Sequence, residues 1–241
     1  MEKQPKPVSR HETSTFRNVD VGLPKRHGSV KAVAGGWDVL AGGVDIWERS
    51  DQFHFVFKPI QGDFDIGMRI QSFKAAHLYS KAGLMLRETL AHDSPHLMFL
   101  VFSNDSPRNN NLGAYEMQFR SVAGGDCQAI YPAVRPPAPP EFPATFPHMW
   151  LRVQRRGECF TALVSTDGRN WKGYGRHTLK LTSTLLVGPA VTSHEAEETA
   201  EVGFRDYTSF LPPESEQVPD ETVGNGWASS CVRSPLSEVR G

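Results

Sequence analysis

YSKAGLMLRETLAHDSPHLMFLVFS, residues 79–103, is the stretch on which the fold turns. Ala82, Leu84 and Leu86 alternate with Lys81, Gly83, Met85 and Arg87. A period of two sends these sets to opposite faces of a β-strand. The polar run His92-Asp93-Ser94-Pro95 then turns the chain into a second apolar strand. One face of this pair is suited to burial. The other carries two cations and a methionine and is a candidate working face.

The same alternation recurs on both sides. Phe53, Phe55 and Phe57 oppose His54, Val56 and Lys58, and Phe64, Ile66, Met68 and Ile70 oppose Asp65, Gly67 and Arg69. Tyr115, Met117 and Phe119 oppose Glu116, Gln118 and Arg120. Repeated alternation marks a half-buried antiparallel sheet, in which each buried Phe, Ile or Met contributes about 1.5–3 kcal/mol. FRNVDVG, SVKAVAG and VDIW read as shorter strands, and MWLRVQRRGECFTALVS as a hairpin followed by a second turn at Asp167-Gly168. Residues 185–193 and 199–210 read as closing strands around an acidic loop at 194–198. With about a dozen strands, no helical period and no short repeat, the expected class is all-β: two antiparallel sheets packed as a sandwich.

Residues 1–15 read as a disordered leader, 16–210 as one domain, and the Pro-, Glu-, Ser- and Gly-rich residues 211–241, with Trp227, as a disordered tail. Residues 132–147 hold seven prolines and read as a long surface loop, because proline cannot donate to a central ladder.

The charge balance, Lys+Arg 26 against Asp+Glu 27, lacks the basic surplus of a nucleic-acid binder. No apolar run approaches the ~20 residues that span a bilayer, and none near the N-terminus has the form of a secretory segment. A cytoplasmic protein without a membrane partner is expected. Cys127, Cys159 and Cys231 show no CxxC spacing; the favoured reading is reduced thiols with no shared role, the alternative a meeting of Cys127 and Cys159 across the sandwich.

GGVDIWERSDQFHFVFKPIQGDFDIGMRI, the stretch 79–102, LRVQRRGECFTALVSTDGRNW and VGPAVTSH together resemble a concanavalin A-like β-sandwich module of the lectin/glucanase superfamily. The chain is more loosely similar to the fungal protein named for regulation of enolase. The resemblance spans about residues 16–210 and implies a jelly-roll fold. It implies no single function, since that superfamily holds lectins, hydrolases and lyases.

Four constellations are candidates for function. If 81–88, 96–103 and 114–120 are neighbouring strands, Lys81, Arg87, Glu116, Gln118 and Arg120 share one face, with His96 beside them; His54 and Arg69 extend it if their strands join the same sheet. Planar polar side chains beside an aromatic platform suit a sugar, and Trp47, Tyr131, Phe142 and Phe146 are candidate rim aromatics. The alternative is a solvated face with cross-strand ion pairs of ~0.2–1 kcal/mol each. A hydrolase would need two carboxylates across a cleft; no ExDxE pattern is present, which leaves Glu88 and Glu116 as the pair to test. Asp20, Asp45 and Asp51 are weak candidates for Ca2+, though aspartates at turns more often cap backbone N–H groups; no HxH or HExxH spacing points to zinc. Finally, the stretch 165–171, STDGRNW, is similar to a shortened Asp-box hairpin, read as a structural turn.

The leading expectation is non-catalytic recognition of a carbohydrate or small polar ligand. The alternatives are a cytosolic protein-interaction or regulatory role, and a glycoside hydrolase or lyase acting through Glu88 or Glu116.

Overall fold

The structure, a computed structural model, describes residues 15–108, 113–131 and 140–210. The expected leader (but for its last residue), the expected tail and the middle of the proline-rich loop lie outside the described residues.

With strands numbered in chain order, the first sheet runs β1 (Arg17–Val21), β6 (Phe53–Gln61), β15 (Thr184–Thr192), β8 (Lys81–Arg87), β9 (His96–Val101), β10 (Tyr115–Arg120), β11 (Gln128–Ile130). The second runs β14 (Lys172–Thr178), β13 (Cys159–Ser165), β12 (Met149–Arg156), β7 (Phe64–Lys74), β16 (Glu195–Ser209), β3 (Gly36–Gly43), β2 (Ser29–Val33). A short hairpin, β4 (Ile46–Trp47) and β5 (Ser50–Asp51), belongs to neither. Every pairing is antiparallel. The fold is thus the expected all-β sandwich, with no helix among the described residues.

The last two strands close it. β15 enters the first sheet between β6 and β8, and β16 enters the second between β7 and β3. Two elements differ from expectation. Of the acidic stretch at 194–198, expected as a loop, residues 195–198 form the bulged start of β16, where Glu195 pairs with Gly43 and Ala200 with Ala41. β14 was hidden by its two glycines, which erase the alternation, yet its Tyr174 is buried in the core.

The main core lies between the sheets. Ala82, Leu84, Leu86 and Phe99 of the first sheet face Ile66, Met68, Val153 and Phe204 of the second. A second core lies on the outer face of the first sheet, where Phe53, Phe55, Phe57, Met85, Met98 and Leu100 pack together under Ile46. The outer cluster comes from Phe53, Phe55 and Phe57 at the odd positions of β6, with Met85 of β8 and Met98 and Leu100 of β9 beside them, so burial of the inner face leaves an oily patch on the outer one. The β4–β5 hairpin covers it.

The Asp167 hairpin is structural, as expected. Asp167 accepts the backbone N–H groups of Arg169 and Asn170, each at 2.8 Å. Gly168 has φ +70°, and a Cβ there would stand 2.7 Å from the Trp150 ring.

Candidate functional site

The register of β8, β9 and β10 sets Arg87 beside His96 and His96 beside Arg120, with Gly83, Leu100 and Glu116 two steps of the pleat away. Lys81, Arg87, His96, Glu116, Gln118 and Arg120 therefore do share one face. His54 and Arg69 do not join them. His54 pairs with Val191, which pairs with Ala82, so the period of two points it to the inter-sheet side, where Asp20 holds its Nδ1 at 2.7 Å. Arg69 lies in the second sheet and donates to Asp206 at 2.6 Å and to the Pro147 carbonyl at 3.2 Å.

The shared face is not open to water. The β4–β5 hairpin lies across it, and Asp51, at 0% exposure, sits between two guanidiniums. Arg87 Nη1 donates to Asp51 Oδ2 at 3.1 Å, and Arg120 donates to Oδ2 and Oδ1 at 2.8 and 2.7 Å. Arg120 also reaches the carbonyls of Trp47 and Glu48, at 3.0 and 3.1 Å. Gln118 Nε2 and Lys81 Nζ both donate to the Ile46 carbonyl, at 2.8 and 2.9 Å. Arg87 and Arg120 are thus fasteners of the hairpin. Burial depresses the Arg87 pKa, and Asp51 opposes that shift.

At this closed end Cys127, His96 and Asp51 line up in the order of a nucleophile, base and orienting acid. The separations are 3.8 Å from Cys127 Sγ to His96 Nε2 and 3.7 Å from His96 Nδ1 to Asp51. The electrostatics of this end works against that chemistry. Burial, with Arg87 and Arg120 on either side, lowers the His96 pKa to about 3, while burial pushes the Cys127 thiol up to about 12. A neutral thiol beside a neutral imidazole is not a poised nucleophile. Iodoacetamide at pH 8 is therefore expected to spare Cys127 in the native protein and to label it after unfolding. Labelling of the native thiol, read by peptide mass mapping, would contradict this. Cys127 and Cys159 are not joined by a disulfide.

The opposite end of the face keeps contact with solvent. The half-buried Trp47 ring lies 5.0 Å from Lys81 Nζ, which pairs with Asp45 at 2.8 Å. Glu116, 4% exposed, is hydrogen-bonded by the half-buried Tyr131 and lies within the fields of Lys81, Asp45 and Arg108. Tyr79 is near enough to influence Tyr131 and Arg108, and it packs on Phe102 and His194. Gln118 Oε1 has no hydrogen-bond partner among the described residues. Burial raises the Glu116 pKa, whereas Lys81 and His194 outweigh burial at Asp45 and lower its pKa. Tyr79, Arg108 and His194 gave no signal in the sequence: each lies in a connecting segment, brought here by the register of strands far apart in the chain.

Of the candidate rim aromatics, Trp47 and Tyr131 reach this end. Phe142 is buried against Tyr115 and Tyr174, and Phe146 packs on the main core. The carboxylates expected as a hydrolase pair do not meet. Glu116 shares a row with Gly83, five residues from Glu88 along β8, or about 16 Å, and Glu88 Oε1 accepts the Thr182 N–H at 2.8 Å. Nor do the three aspartates form one metal site. Asp20 is held by His54 and His27, Asp45 by Lys81, and Asp51 by Arg87 and Arg120. Among the described residues no group of three or more His, Cys, Asp or Glu side chains has an arrangement fit for a metal ion.

No family model matches the chain. No curated protein matches it significantly. Solved structures do resemble it. A functionally unknown protein from Saccharomyces cerevisiae superposes with a TM-score of 0.60 at 19% identity, over 83% of this chain and 98% of that one. The exoplasmic/lumenal domain of VIP36, in its Ca2+/Man3GlcNAc-bound form, superposes with a TM-score of 0.52 at 13% identity, over 91% of this chain and 94% of that one. The GH43 protein BlXynB from Bacillus licheniformis gives 0.50 at 13% identity over 73% of this chain, which spans only 33% of its length. What the chain shares with these proteins is the fold, a sandwich of two antiparallel β-sheets.

Proposed function

We propose that the protein recognises a glycan at the Trp47–Lys81–Glu116 end of the outer face, without cleaving it. The observation that carries this reading is the half-exposed Trp47 ring 5.0 Å from Lys81 Nζ, whose field also reaches the buried, hydrogen-bonded Glu116 carboxyl. An apolar ring face for the sugar C–H surface and fixed planar acceptors for its hydroxyls are what such a site needs. The fold supports the reading only in general terms: the VIP36 domain of like fold is bound to Man3GlcNAc with Ca2+. Binding is favoured over hydrolysis because the second acid of this end is already engaged. Asp45 Oδ1 takes Lys81 Nζ at 2.8 Å and the Ile46 N–H at 2.7 Å, and Oδ2 lies 3.4 Å from His194 Nδ1. Among the described residues no carboxylate is left to serve as nucleophile or base opposite Glu116.

A glycan array and thermal shifts, each with and without calcium, test the proposal. A bound sugar at 100 times its Kd stabilises the fold by about 2.7 kcal/mol. Trp47→Ala and the milder Tyr131→Phe are expected to weaken any hit at least tenfold while the protein stays folded. An empty array, with a protein captured by the intact chain instead, would replace this reading with the protein-partner one. Turnover of a hit would restore the hydrolase.

Glu116→Gln separates the acid's structural and binding roles. The Glu116 pKa is raised in the folded state, so its contribution to stability is fully present below the unfolded value and is lost as pH rises through the folded one. The glutamine variant is expected to gain stability relative to the parent as pH rises from about 4 to 8, read by urea midpoints. A relative loss at high pH would mean that attraction to Lys81 outweighs burial.

A further inference from the structure

The two ends of the face differ in what they can admit, and this difference defines the ligand more narrowly than its class. At one end the hairpin backbone itself occupies the surface. The Trp47 and Glu48 carbonyls are bonded to Arg120, Asp51 fills the space between Arg87 and Arg120, and Cys127 N–H donates to the Glu48 carbonyl at 2.8 Å. In the middle, Ile46 is sealed over Met85 and Met98. A polymer laid along β8 would collide with this cover after leaving Glu116. A chain running in that direction enters by its end.

Charge makes a second selection. Lys81 Nζ is engaged by Asp45 Oδ1 and the Ile46 carbonyl. The Arg108 guanidinium is spent on the Leu78, Ser106 and Gly113 carbonyls and on Asn104 Oδ1, at 2.8, 2.7, 3.5 and 2.6 Å. Neither cation keeps a fork of donors for a carboxylate, sulfate or phosphate, which needs one to repay its desolvation. A cationic ligand is disfavoured too, because the Lys81 ammonium already occupies the neighbourhood of the Trp47 ring where such a group would bind. Beyond the Tyr131 hydroxyl that it already accepts, the Glu116 carboxyl keeps acceptor capacity. It calls for a ligand that brings hydroxyl donors and no charge.

We infer that this site takes the terminal unit of a neutral sugar chain and rejects both internal segments and acidic sugars. The inference rests on the glycan-binding reading above and narrows it. The test uses the full chain and calorimetric titration with neutral gluco-, manno- and xylo-oligosaccharides of one to about six units, alongside the same oligomers capped by a uronic acid. The expected result is a Kd that changes less than about threefold beyond the second unit and weakens at least tenfold, ~1.4 kcal/mol, on adding the acidic cap. Affinity that climbs steadily with chain length, or that prefers the uronate, would overturn the inference while leaving glycan recognition standing. No binding by either series would remove both. Tyr131→Phe, which deletes a single hydroxyl at this end, is expected to weaken the short and long oligomers by the same factor. A loss confined to the long ones would also contradict recognition of a chain end.

Discussion

Replacing Asp51 with alanine is expected to cost about 3–5 kcal/mol of folding stability. The carboxylate is fully buried and is the shared counter-charge of Arg87 and Arg120, which are themselves fully buried. Its removal leaves two cations in a dry site, close enough that Arg120 already disfavours charge on Arg87. Urea unfolding reads the loss directly. Exchanging Asp51, Arg87 and Arg120 together for apolar residues of similar volume is expected to recover most of it, because the penalty belongs to the orphaned charges rather than to the missing pair. A single-variant loss below about 1 kcal/mol would show a water-screened contact and a hairpin that is not locked down. The same geometry removes Arg87→Ala as a probe of sugar binding: it would unfasten the hairpin before it reported on a ligand.

Phe55→Ala is expected to cost about 3–5 kcal/mol, as for a phenylalanine in the middle of a main core. Phe55 is on the outer face of the first sheet, yet it is 0% exposed. It stacks on Phe57 with ring centroids 5.0 Å apart and lies 5.7 Å from Phe53. If the outer face were an open groove, the same substitution would change stability by no more than about 0.5 kcal/mol. Chemical denaturation therefore decides between a second core and an exposed working surface. A near-neutral result would also undo the chain-end inference, since that depends on the hairpin being seated over this cluster.

Much of the architecture was legible because a strand writes its faces into the chain at a spacing of two. Ala82, Leu84 and Leu86, and likewise Ile66, Met68 and Ile70, were read as core from alternation alone and lie between the sheets. The grouping of Lys81, Arg87, Glu116, Gln118 and Arg120 followed from the same rule once their strands were taken as neighbours. What alternation leaves open is which face of a strand meets the other sheet when both are apolar. Phe53, Phe55 and Phe57 belong to the outer cluster, and Val56, with His54 beside it, turns inward. The missed β14 and the bulged start of β16 have a simpler cause: glycines and consecutive acids carry no alternation.

By itself the sequence determined the all-β class, most of the strands, and the set of polar side chains on one face, since these depend on local periodicity and on neighbours along the chain. Only the tertiary structure decided how much of that face is covered. Asp51 is far from Arg87 and Arg120 in sequence, and it meets them because the β4–β5 hairpin folds back over an apolar surface that had to be covered. Burial then turned arginines suited to a ligand into internal ion pairs, and it left Trp47 and Tyr131, with Glu116 behind them, at the end of the face that keeps contact with solvent. Long-range contact and desolvation set those roles, and neither is encoded in the order of residues along a single strand.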